Sequence, residues 1–173
     1  MSDKTVREVL NENYVGKATY RRAFADLVGV AGSAVAISGV VGIVVRVTAI
    51  QVAKPSVAQA PMRIVKYSTA ISGGTSTEPT PVPLDSDDPD ARATFSLYTV
   101  VPTDGTEIGA LFDGDIATGD VVYETFGGEK NAQPVVLRGA GEYLAIELSA
   151  DAVINGFIEW TEEAEAPVQT PGT

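Results

Sequence analysis

The sequence predicts a mainly β protein: an antiparallel β-sandwich, jelly-roll-like, with a short N-terminal helical arm. Three observations lead there. From residue 27 onward nearly every segment either alternates with period two or runs apolar between turn signals. Those signals recur at short intervals, as Lys54-Pro55-Ser56, Asp104-Gly105, Asp113-Gly114, Gly127-Gly128 and Gly139-Ala140-Gly141. An apolar stripe at helical spacing, Val6, Val9 and Leu10, falls within the first 13 residues.

Taken in order, residues 1–13 predict a helix that Ser2 or Asp3 can cap, too short to persist unless it docks on something. Gly16 ends that region, and residues 17–26 are ambiguous. Residues 1–26 are therefore set apart as an arm, 27–161 as the sandwich, and 162–173, acidic and then proline-bearing, as a peripheral tail. Strands are expected at 28–37, 40–53, 61–67, 91–100, 106–111, 119–126, 134–138, 142–149 and 153–161. Leu27 to Val45 carries no charge over 19 residues and reaches membrane-spanning length. Four glycines and a β-branched composition that continues through Arg46 read instead as two buried strands joined at Ser38-Gly39. The clearest strand is 142–149, where Leu144, Ile146 and Leu148 oppose Tyr143, Ala145 and Glu147. Residues 68–90 form one long loop whose four prolines predict an extended course, suited to lying along a neighbouring subunit.

Composition narrows the function. The chain of 173 residues contains no cysteine and no histidine, which excludes thiol or imidazole catalysis, thiolate metal sites and disulfides. Its net charge of −11 is unevenly placed. Residues 1–77 hold 9 bases and 4 acids, whereas residues 78–173 hold 3 bases and 19 acids. Such an acidic half repels phosphate backbones, so nucleic acid is not an expected partner. Lys4, Arg7, Lys17, Arg21 and Arg22 fall in the first 22 residues. The arm is thus charge-matched to an acidic neighbour, and Val6, Arg7, Leu10, Arg21 and Arg22 are its expected partner contacts.

Carboxylates are the plentiful reactive groups. Asp85, Asp87, Asp88 and Asp90 form one cluster, and Asp113, Asp115 and Asp120 surround Gly114 and Gly119. Calcium takes six to eight oxygens, and loops of this kind can supply some of them. The Asp113-Gly114-Asp115 spacing lacks the further ligands of a calcium loop, so turn chemistry is the expected role and no metal is assigned. Phosphate-loop patterns are missing, aromatic residues for a sugar cleft are scarce, and neither an enzyme nor a cofactor is expected.

Several segments together resemble a family of small tailed-bacteriophage virion proteins. They are VRVTAIQV (45–52), the block from Ile64 to Phe112, QPVVLRGAGEYLAIEL (133–148) and INGFIEWTEE (154–163). Within them Lys66, Ser68 and Thr69 lead into Gly73-Gly74-Thr75-Ser76-Thr77, and Pro83, Asp85 and Ser86 follow. A strand ending in Tyr98-Thr99 and a closing Glu159-Trp160-Thr161-Glu162-Glu163 complete the resemblance. It implies a capsid decoration or cement protein on the virion surface, bound to the major capsid protein and to copies of itself, with no membrane partner. Two alternatives are a tail, baseplate or head-fibre component touching host glycans, and a calcium-assisted carbohydrate-binding module.

Overall fold

The computed structural model describes residues 17–53, 60–127 and 133–165; the expected helix of residues 1–13, with Val6, Arg7 and Leu10, lies outside the described residues. Among the described residues twelve strands run, with β1 (Ala18–Gly29), β2 (Gly32–Ser38), β3 (Ile43–Ala53), β4 (Ala60–Tyr67), β5 (Thr75–Thr77) and β6 (Val82–Pro83) in the first half. The second half holds β7 (Phe95–Val100), β8 (Glu107–Ile116), β9 (Val121–Thr125), β10 (Val135–Arg138), β11 (Tyr143–Leu148) and β12 (Ala152–Ala164). They form two sheets, ordered β10-β3-β12-β1-β6, with β9 also on β3, and β5-β7-β2-β11-β4-β8. Every strand pairing is antiparallel.

The pairings nest. Ala18 faces Glu162, Ser38 faces Tyr143, Val47 faces Val135 and Met62 faces Gly114. The chain therefore runs as one long hairpin bent repeatedly over its own core, each bend passing it from one sheet to the other. Consecutive apolar strands β2 and β3 lie in different sheets, and the crossing is made at Gly39. A Cβ at Gly39 would collide with the backbone oxygen of Gly139, so only glycine lets the two bends pass.

Period-two patterning has its physical reason here, because each strand turns alternate residues into the space between the sheets. Ile37, Val47, Ile50, Ile64, Leu144, Ile146 and Ile158 are fully buried within it. An aromatic seam crosses it: Tyr20 lies 6.0 Å from Trp160, Trp160 stacks on Phe95 at 6.4 Å, and Phe95 lies 6.4 Å from Phe24. Burying each such side chain contributes about 1.5–3 kcal/mol, so the seam is a principal source of the fold's stability.

Three expectations change. The boundary at residue 26 falls inside a strand: β1 pairs along its length with β12 and at two residues with β6, and puts Tyr20 and Phe24 into the core. Alternation fails there because a bulge between Phe24 and Leu27 shifts the register, with Asp26 at φ 50°. The loop 68–90 contains β5 and β6, which pair with β7 and β1. It thus lies along its own sandwich, crossing from one sheet edge to the other. Finally, β8 extends to Ile116 and β12 to Ala164, so Asp113 and Asp115 sit in a strand and the tail boundary at 162 moves outward.

Candidate interaction surface

The outer face of the sheet containing β1, β3, β9 and β12 carries four exposed large apolar side chains, Val28, Val82, Val121 and Tyr123. Cross-strand partners share a face. Tyr123, Gln51, Phe157 and Ala23 form one row across four strands, and Val121, Ala53 and Asn155 form the next. Val28 pairs with Val153 at one end, and Val82 pairs with Arg21 at the edge. Tyr123 and Val121 are each 57% exposed, and Val28 is 64% exposed, although their strands place them beside other apolar groups. Tyr123 lies 6.3 Å from Phe157 in a tilted arrangement. The Arg21 guanidinium caps the Phe157 ring at 4.3 Å while its Nε donates to Glu159 at 3.0 Å. An apolar centre of aromatic and valine side chains, rimmed by an arginine–carboxylate pair, is the composition of a protein-binding surface.

Of the expected partner contacts, Arg21 lies on this face, half exposed and already paired with Glu159. Arg22 points elsewhere: its Nη1 donates to the Thr80 carbonyl at 3.1 Å and so ties the 68–94 crossing to β1. Lys17 ion-pairs with Glu163 at 3.5 Å. The bases of residues 17–22 therefore each make a contact within their own domain.

The aspartates are dispersed. Asp113 lies 3.5 Å from Arg63, which also holds Glu107 at 2.6 Å and Glu147 at 3.0 Å. Hydrogen bonding to Glu107 is the chief cause that raises the Arg63 pKa further above its ordinary value, against an opposing effect of burial. Asp115 pairs with Pro61 in the strand ladder, and Asp120 closes the 117–120 turn with its N–H on the Ala117 carbonyl. Among the described residues no group of three or more carboxylates is gathered as a metal ion would require. In the acidic 85–90 cluster, Asp85 accepts the Asp87 N–H and Asp88 accepts the Thr19 N–H, so both serve the local backbone.

Sequence reasoning missed one polar residue of consequence. Glu162 is only 7% exposed and points inward, two residues after Trp160 on the same face of β12. Its carboxylate accepts Trp160 Nε1–H at 2.9 Å, Arg92 N–H at 2.9 Å and Ala93 N–H at 2.9 Å. A glutamate at an inward position of an alternating strand was the available signal. Beside it the Tyr20 hydroxyl donates to the Pro89 carbonyl at 2.8 Å. Burial foremost, then the charges of Glu162, Asp88 and Asp90, push the Tyr20 pKa above its ordinary value. Glu163 faces the other way; burial works against its charged form, but Arg46 and Lys17 outweigh it and hold its carboxyl below the usual range.

Compared with known proteins, the chain matches no protein family, no curated protein and no solved structure. Among the described residues no helix is long and apolar enough to cross a membrane.

Proposed function

We propose that this chain is a structural subunit of a tailed-phage particle, a decoration or cement protein that binds the major capsid protein at the head surface. The observation that carries the proposal is the apolar outer face built from Val28, Val121, Tyr123 and Phe157 on a rigid sheet. A face of this kind binds by shape and burial and performs no chemistry, which is what reinforcing a shell demands. The nested strand pairs 1–12, 2–11, 3–10 and 4–8 agree with a jelly roll, an architecture suited to capsid proteins. The sequence resemblance over roughly residues 40–163 points the same way, and the acidic body keeps such a subunit from competing for the packaged genome.

The energetic logic is multiplicity. A contact of about 800 Å² per partner is modest alone, yet repeated at every lattice site it resists outward pressure from packaged DNA. Co-sedimentation with particles tests the reading. Tyr123→Ser combined with Val121→Ser should leave the melting temperature near that of the parent, since both residues are exposed, while removing most of the particle-bound protein. Undiminished particle binding by that variant would refute this face as the capsid contact.

A further inference from the structure

At the end of the sandwich where β1 begins and β12 finishes lies a hollow of about 370 Å³. Its lining includes Tyr20, Ile43, Pro89 and Ala164, and Asp88, Asp90 and Glu162 stand around it. Arg92 is the one base in that lining, and Glu163 is neutralised by Lys17 and Arg46. The hollow is therefore apolar in its floor and net negative at its rim. Its complement is a short segment that combines apolar side chains with a net positive charge.

This chain contains such a segment outside the described residues, Lys4-Thr5-Val6-Arg7-Glu8-Val9-Leu10, with two bases, one acid and three apolar side chains. It belongs to the 16 residues that precede Lys17, a length that spans up to about 50 Å at ~3.3 Å per residue. That exceeds the roughly 15 Å radius of gyration of a domain this size, so the segment can reach an adjoining molecule. Ala18, which follows it, itself lines the hollow. The described chain thus begins beside the receiver, and two copies meeting at this end can exchange segments reciprocally in a closed pair.

We propose that residues 4–10 of a second copy occupy this hollow, Val6 and Leu10 on its apolar floor and Arg7 against Asp90. The proposal rests on reading the chain as a lattice subunit that meets its own kind, and it names the surface through which copies meet. It is distinct from the capsid-facing sheet.

Sedimentation of the full-length chain in solution tests it without particles. The mass should rise with concentration, and Val6→Ser with Leu10→Ser should weaken self-association tenfold or more. Arg7→Glu and Asp90→Arg should each weaken it several-fold at unchanged melting temperature, as Asp90 is exposed and exposed charges contribute little to stability. An equimolar mixture of those two single variants should recover association, because each segment then finds a hollow of opposite charge on the other copy. A wild-type chain that stays monomeric would overturn the proposal. So would a mixture that recovers nothing, which places the contact within one chain or elsewhere. A wild-type chain that self-associates but does not bind particles would count against the capsid reading alone.

Discussion

Replacing Glu162 with alanine removes the acceptor shared by three N–H groups, one from the Trp160 indole and two from the backbone at Arg92 and Ala93. Water cannot substitute readily at a site only 7% exposed. A buried donor left without a partner costs about 1–3 kcal/mol, and losses within one network are not additive. The expected destabilisation is therefore about 3–5 kcal/mol for Glu162→Ala and about 1–2 kcal/mol for Glu162→Gln, which keeps one acceptor oxygen. Urea unfolding followed by Trp160 fluorescence measures both through the midpoint at constant slope. Hydrogen exchange localises the effect, since the amides of Arg92 and Ala93 should lose protection before the strand ladders do. If Glu162→Ala unfolds within about 0.5 kcal/mol of the parent, the carboxylate does not hold the 85–93 segment and the reasoning fails.

Truncation separates the arm from the sheet: removing residues 1–16 should leave the sandwich folded, whereas removing 1–25 takes Tyr20 and Phe24 from the core and should leave the chain insoluble, as solubility and circular dichroism will show. Glu163 has a folded pKa below its ordinary value of 4.5, so its stabilisation is complete above that value and is lost as pH falls through the lower folded one. Glu163→Gln should accordingly flatten the acid limb of a melting-temperature profile below about pH 4.5, by about 1 kcal/mol or less for so solvated a group. Asp113→Asn with Asp115→Asn should shift stability by about 1 kcal/mol at most, with a melting temperature unaltered by chelator. A chelator-dependent melt that these replacements abolish would show that the aspartates bind a cation.

Much of the fold was legible because burial between two sheets imposes period two on the sequence. Strand β11 reads off directly, with Leu144, Ile146 and Leu148 on one face, and all three are buried. Strand β1 was not legible. Its adjacent Arg21 and Arg22 and the bulge at Asp26 break the alternation, and both arise from tertiary contacts, to Glu159, Thr80 and Asn155. The 68–90 segment read as a partner-seeking loop because its prolines forbid a long ladder. Edge strands of three and two residues suffice to fix it, and no periodicity shows in so few positions. The outer face was invisible for another reason: Tyr123 and Phe157 are 34 residues apart and meet only through β3, which pairs with both strands.

The capsid role is tested most directly by imaging particles from a lysate carrying the intact gene beside particles from one in which it is deleted. The account predicts compact density on the outer head surface, repeated at lattice sites and lost on deletion, with the β1–β3–β9–β12 face toward the shell. Heads identical in the two preparations, or density confined to the tail, would contradict it.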